Sequence, residues 1–377
     1  MPTPMLPDEL LEEIFLRLPP DEPACLVRAS LASKIWLGLL TGAAFRGRYI
    51  DFHGAPPMLG FLLSYSHHEE KHPTPHFVST AKFGARIPRR SEYDTLYCRH
   101  GRVLLADTST GPSELAVWNP MTGYWRAMEA PGESLGLGAA VLCAVAGCDH
   151  RSCHDGPFQV ILCGLSTNDI GAEQRSAHAW VYSSETEAWS EPCSALQLGS
   201  AHALIDTRPS VLFENTLYHT VLYADHISIL KYDMGSNCMS LLDGPPVAPT
   251  FSAILLTLED GSLGFAYLHY LSLYLWSRPI RFDGAATWNQ STVVHLEELL
   301  PVQNPKERLR LVGFKEKSDV VFVTTDLGIY EISFKSLEWK RLWERAKIRA
   351  LIPYMSFYYP SGISIHTFFC DMRTILM

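Results

Sequence analysis

The chain has 377 residues, 47% of them hydrophobic, and carries a formal net charge of −9. That apolar content excludes wholesale disorder, and the acidic balance argues against a nucleic-acid footprint, which needs a basic patch to displace phosphate counterions. No apolar run is long enough to suggest a membrane span, and the greasiest, Phe251 to Leu258, is short and reads as a buried strand.

The length allows two or three domains or one large repetitive one. Arg86, Arg89 and Arg90 are the one candidate for a local basic patch. The N-terminus lacks a basic flank followed by an apolar run, so no secretory signal is expected. The nine cysteines are odd in number and scattered, which points to reduced thiols and a cytoplasmic or nuclear protein.

The first predicted elements lie in LPDELLEEIFLRLPPDEPACLVRASLASKIWLGLL, residues 6–40. Pro7 suits a first helical turn, and Pro19-Pro20 ends the helix. Leu10, Leu11, Ile14, Phe15 and Leu18 span an arc of ~140°, wider than the ~100° of an ordinary surface helix. Glu9, Glu12, Glu13 and Arg17 line the other side, with Leu16 among them. Asp21 is the expected N-cap of a second helix reaching about Ala29. A third begins near Ser30 or Leu31 and is apolar nearly all round, through Leu31, Ile35, Trp36, Leu37, Leu39 and Leu40. A unit of this size buries only ~60% of its unfolded surface. Its excess apolar surface must therefore pack on the rest of the chain or meet a partner.

The residues Leu6-Pro7, Leu10-Leu11, Glu13-Ile14, Leu16 to Pro19, Leu26 to Ser30, Lys34, Trp36 and Phe45 resemble an F-box of the plant type, over roughly Leu6 to Tyr49. One departure is LASKIW, where the family usually carries a Val-Cys-Lys-x-Trp pattern. The resemblance implies a three-helix domain docking a Skp-type adaptor and, through it, a cullin-based ubiquitin ligase. Carried over by position, it implies Leu6, Pro7, Leu10, Ile14, Leu18, Pro19 and Trp36 as adaptor-binding residues. Leu10 and Trp36 have core packing as an alternative.

Residues 50–76, with Pro56-Pro57 and SHHEEKHPTPH, read as linker and entry loop. From residue 77 to 370 short alternating runs such as GRVLLAD, FQVILCG and DVVFVTTDLGIYEI are separated by turn residues, and 371–377 reads as a tail. Only Val293–Leu300 and Trp339–Ile348 carry a helical period. The segments LAVWNPMTGYWRAM, AWVYSSETEAWSEP, ILKYDMGSNCMSLL and GIYEISFKSLEWKRL share one plan: a strand, a polar turn, then a bulky residue opening a second strand. Trp189, Met239, Trp288 and Trp339 recur at intervals of about 50 residues, which predicts an all-β propeller of about six four-stranded blades. The recurring aromatics read as packing between blades. The double-glycine signature of kelch repeats is absent. The pattern is more similar to the kelch-like, F-box-associated propeller of plant proteins, most clearly in LAVWNPMTGYW and IPYMSFYYPSG.

Little in the chain reads as catalytic. Cys143, Cys148, His150, Cys153 and His154 stand close together, but their C-x4-C spacings do not match the usual C-x2-C knuckles, so the segment reads as a polar loop with free thiols and no metal or cofactor is assigned. ESLGLGAAV lacks the complete G-x-G-x-x-G, FDGAATW is a single Asp-box-like turn, and no G-x-S-x-G elbow is present. The F-box resemblance therefore implies a non-catalytic substrate receptor whose propeller presents a protein target through rim loops, with His67–His76, Cys148–Gly156 and Ser166–Arg175 as candidates. The alternatives are a propeller hydrolase or lectin-like module with a helical lead-in, and an adaptor-bound scaffold without a degradation role.

Overall fold

Four short helices open the chain, and strands fill the remainder. The computed structural model describes residues 6–65, 76–80, 84–88, 93–107, 114–131, 134–148, 150, 153, 156–166, 174–249, 252–280, 286–304, 309–344 and 347–358. The helices are α1 (Asp8–Leu16), α2 (Pro23–Ala32), α3 (Lys34–Thr41) and α4 (Ala43–His53).

Three sequence expectations need correction here. Asp21 does not cap α2: Pro23 takes the first helical position, where its fixed φ is favourable, so the cap moves to Glu22. The third helix starts at Lys34 because Ser33 is extended and its Oγ accepts from the Ile35 amide at 3.2 Å. The helical unit has a fourth helix beyond the three expected; Gly47, Arg46 and Arg48 interrupt the apolar spacing of Phe45, Tyr49 and Ile50, which are its buried face.

The small core between the helices contains Leu11, Phe15, Leu16, Leu26, Leu40, Phe45, Tyr49 and Ile50. Leu16, placed among the charges on the wheel, is buried. Phe357, close behind the last strand of the chain, completes this core and lies edge-on to Tyr49 with ring centroids 6.1 Å apart. The helical unit is thereby seated on the C-terminal end of the β domain.

Six antiparallel sheets make six blades. Blade 1 joins the two ends of the β region: Met58–Tyr65 pairs with His76–Ser79 on one side and Ile348–Met355 on the other. The stretch expected as linker, residues 50–76, thus holds the end of α4 and a central strand of blade 1. Its run MLGFLLSY lacks polar alternation because nearly every residue in it is buried.

Blade 2 comprises Tyr93–Arg99, Arg102–Asp107, Glu114–Trp118 and Trp125–Glu129. Blade 3 comprises Ser134–Cys143, Phe158–Ser166, Ser176–Ser183 and Ala188–Trp189, with Leu196–Gln197 added. Blade 4 comprises Leu204–Ile205, Thr216–Leu222, Ile227–Asp233 and Cys238–Asp243, with Val211–Phe213 added. Blade 5 comprises Ala253–Thr257, Leu263–His269, Ser272–Arg278 and Asn289–His295. Blade 6 comprises Arg310–Phe314, Val320–Thr324, Ile329–Ser333 and Trp339–Trp343.

The two segments with a helical period are corrected in part: Val293–His295 ends the outer strand of blade 5 before a turn in which the Leu300 amide donates to the Leu296 carbonyl at 2.8 Å, and Trp339–Trp343 is the outer strand of blade 6. Outer strands are wetted on much of both faces, so their sequences lose the period of two.

The repeated aromatic has a visible role. The Trp189 indole donates to the carbonyl of Glu129, at the end of blade 2's outer strand, at 2.7 Å. The Trp288 indole donates to the carbonyl of Asp243, at the same place in blade 4, also at 2.7 Å. Each ties the rim of its blade to the blade before it. In LAVWNPMTGYW, Trp118 pairs with Trp125 across a turn in which Asn119 Oδ1 accepts from the amides of Met121 and Thr122, and Gly123 takes φ +76°.

Candidate functional site

On α1 the apolar positions separate into two faces. Leu11, Phe15 and Leu16 turn inward. Leu10 and Ile14, four apart on the helix, remain 51% and 50% exposed, and Leu6, just before the N-cap Pro7, is 50% exposed. Leu31 at the end of α2 and Ile35 at the start of α3 are exposed as well. A helical unit with its own filled core thus keeps five large aliphatic side chains in water.

Of the other residues expected at the adaptor face, Pro7 and Pro19 are exposed. Leu18 and Trp36 are partly buried and pack on the helical core. Trp36 stands edge-on to Phe15 with centroids 5.1 Å apart, and the carbonyl of Leu18 accepts from the Tyr49 hydroxyl at 2.8 Å. Leu10 faces solvent, whereas Trp36 belongs chiefly to the core, so the two residues with alternative roles part company. Arg48 of α4 bridges Glu12 and Glu13 of α1 at 2.8 and 2.9 Å, bracing the two helices beside this face.

The propeller axis opens toward the helical unit in a cavity of about 830 Å³, lined by the ends of several inner strands together with Ile50, Asp51 and Gly54 from the end of α4. Its charged groups are largely paired. Arg99 binds Glu316 at 2.9 Å and also donates to the Tyr97 hydroxyl. Arg208 binds Asp206. Burial, and next the Glu316 carboxylate, push the Tyr97 hydroxyl well above its usual range. His219 is buried in the same wall, and neither ring nitrogen has a protein partner among the described residues. Desolvation lowers its pKa to about 4, against the opposing pull of Asp206. The Cβ of any larger residue at Gly138 would stand 2.3 Å from the His219 ring, so glycine is what admits the imidazole.

Beyond the axial rim the structure brings Cys143, Cys148, His150 and Cys153 together, with their ligand atoms all within 4.8 Å of one another. His154 lies outside the described residues. So do residues 67–75 and 167–173 of the candidate rim loops, and Arg89 and Arg90. Arg86 is committed elsewhere: its guanidinium donates to the carbonyl of Thr122 at 3.1 Å, within the Asn119–Gly123 turn. Among the described residues no helix is long and apolar enough to cross a membrane.

Comparison with known proteins bears on the helical unit. Residues 4–44 match the F-box domain. A search of curated proteins returned no match. Among solved structures, an oligogalacturonate lyase in complex with manganese is 11% identical, with a TM-score of 0.36 over 65% of this chain and 62% of that one. A luciferin-regenerating enzyme is 10% identical, with a TM-score of 0.36 over 74% of this chain and 78% of that one. A quinonprotein alcohol dehydrogenase-like protein from Bacteroides thetaiotaomicron is 10% identical, with a TM-score of 0.38 over 77% of this chain and 64% of that one. The chain thus spans less than two thirds of the first and third of these, and none of their activities is carried over to it. The chain carries an N-terminal F-box domain followed by a six-blade β-propeller.

Proposed function

We propose that the chain is the substrate-receptor subunit of an SCF-type ubiquitin ligase, its F-box docking a Skp-type adaptor and, through it, a cullin. F-box domains bind such adaptors within cullin complexes. The observation that carries the reading is the outward row Leu6, Leu10 and Ile14, kept in water although the helices have a core of their own. Unpartnered apolar rows of this kind mark interfaces. Leu6, Pro7, Leu10, Ile14 and Pro19 form the contact in this reading, and Leu18 and Trp36 support it from behind.

The propeller, of the plant F-box-associated type, then presents a protein target in the cytoplasm or nucleus. The mechanism is positional: one end holds the ligase, the other the target, and the raised local concentration of target lysines speeds transfer without chemistry in this chain. The competing hydrolase reading needs free carboxylates at the axis. Asp206 and Glu316 are each held by an arginine, which favours a binding role over a general-base role.

The test is co-purification. Replacing Leu6, Pro7 and Ile14 by charged residues is expected to abolish recovery of the adaptor while the propeller stays folded. Undiminished recovery refutes the assigned face. Comparing proteins captured by wild type and by this variant with the proteasome blocked then identifies the target. A target whose lifetime is the same with both separates a scaffold from a receptor.

A further inference from the structure

Cys143 ends the first strand of blade 3, and the chain leaves it for a loop that returns at Phe158. Two cysteine sulfurs in this segment accept main-chain amides two residues on: Cys143 Sγ from Val145 at 3.4 Å and Cys148 Sγ from His150 at 3.3 Å. His150 adopts φ +58°, a left-handed conformation that turns the chain back and brings its Nδ1 to 3.6 Å from Cys153 Sγ.

The distances suit a tetrahedral ion. Zinc–sulfur bonds of ~2.3 Å and zinc–nitrogen bonds of ~2.0 Å put neighbouring ligand atoms roughly 3.5–3.8 Å apart. The Cys153–His150 separation already has that value, and all four ligand atoms fall within 4.8 Å of one another. Small side-chain rotations are enough to close the set.

A second feature points the same way. Arg102 of blade 2 is buried, and its guanidinium donates to the carbonyls of Cys153 and, at 2.6 Å, Gly156. It lies over the Phe158 ring at 5.7 Å, and among the described residues no carboxylate pairs with it. Three thiolates and one neutral imidazole around a divalent ion carry a net charge of −1, so the bound cluster supplies the counter-charge this arginine lacks.

We propose that Cys143, Cys148, His150 and Cys153 form a structural zinc site. Binding displaces three thiol protons to solvent, and His150 ligates through Nδ1 with its proton on Nε2. Four protein ligands leave no open position, so the site is closed and not catalytic. His150 stacks on His100 of blade 2 at 4.4 Å, and both rings line the axial cavity. The ion therefore fixes one flank of the cavity mouth by tying the blade 3 loop against blade 2.

The full chain, purified without chelator and dialysed against metal-free buffer, is analysed by elemental mass spectrometry. About one zinc per chain is expected, falling to below roughly a fifth in Cys143→Ser and Cys148→Ser and unchanged in Cys238→Ser, whose thiol is exposed and distant in sequence. Should the serine variants fail to fold, X-ray absorption on the wild-type protein decides: three sulfurs at ~2.3 Å and one nitrogen at ~2.0 Å support the site. A shell of oxygens, zinc far below one per chain, or a disulfide among the three cysteines overturns it.

Discussion

Truncating the outward row formed by Leu6 and the exposed face of α1 should separate binding from folding. Fully burying a Leu or Ile side chain is worth ~1.5–3 kcal/mol, and Leu6, Leu10 and Ile14 have already lost about half of their exposure in the free chain. Completing their burial against an adaptor therefore gains roughly 1 kcal/mol each, or about 3 kcal/mol for the three, which is on the order of a hundredfold in Kd. The triple variant Leu6→Ala/Leu10→Ala/Ile14→Ala forfeits most of that. It leaves Leu11, Phe15 and Leu16 in place, and alanine is a good helix former, so helix content and Tm should hardly move. Trp36→Ala is the contrasting control: it empties the space against Phe15 and should lower the stability of the helical unit by ~2–4 kcal/mol. Calorimetric titration of each full-length variant with a purified Skp-type adaptor, alongside circular dichroism and thermal melts, reads both quantities. A triple variant that binds within threefold of wild type while remaining helical refutes the reasoning.

Three further outcomes follow from the packing. Arg349 joins blades 1, 2 and 4, donating to Ser64 at 2.8 Å, Thr207 at 2.9 Å and the buried carboxylate of Asp94 at 2.5 Å; Arg349→Met should cost ~3–5 kcal/mol in urea unfolding by stranding Asp94, and Asp94→Leu added to it should recover most of the loss. The lowered pKa of His219 means that the unfolded chain binds its proton first as pH falls from 6.5 toward about 4, so stability is complete above that window and declines through it by about 3 kcal/mol. His219→Leu should flatten that part of the Tm–pH profile, and an unchanged slope sinks the assignment. Phe357→Ala should remove ~3–5 kcal/mol from the helical core and loosen its seat on the propeller, read as faster proteolysis between His53 and Met58.

The propeller was legible because its repeats carry two signals at once. Short apolar runs bounded by turn residues marked the inner strands, and the bulky residue after each polar turn marked the outer ones: Trp125, Trp189, Met239 and Trp339 all lie in outer strands, and Trp288 directly precedes one. The strand Met58–Tyr65 was hidden by its surroundings. It sits between neighbours on both sides, and its unbroken apolar run beside two prolines looks like an isolated patch in a linker. Its partner, Ile348–Met355, is about 290 residues away, a distance no local pattern spans. The wheel of α1 likewise gave a stripe too wide for one face, but not where the boundary falls between Leu10 and Leu11. That boundary depends on α4, whose Phe45 and Tyr49 fill the core that Leu11 faces. The C-x4-C spacings do not single out the cysteine cluster. Its geometry rests on the left-handed turn at His150 and on Arg102 reaching across from another blade, neither of which spacing encodes.

The seating of the helices matters more to a positional mechanism than either part alone. A receptor that works by raising local concentration loses its advantage as the span between its two ends fluctuates. Here the last strand, Ile348–Met355, closes the propeller by pairing with Met58–Tyr65, and Phe357 just beyond it enters the helical core. Tyr358 packs on Ala24 and Val27 of α2. The route from helices to propeller is thus doubled, through Gly54–Pro57 at one end of the β region and through Phe357 and Tyr358 at the other. Two attachments restrict rotation that one flexible linker would permit. The exposed row around α1 is therefore held in a fixed direction relative to the propeller axis, as the proposed positional mechanism requires.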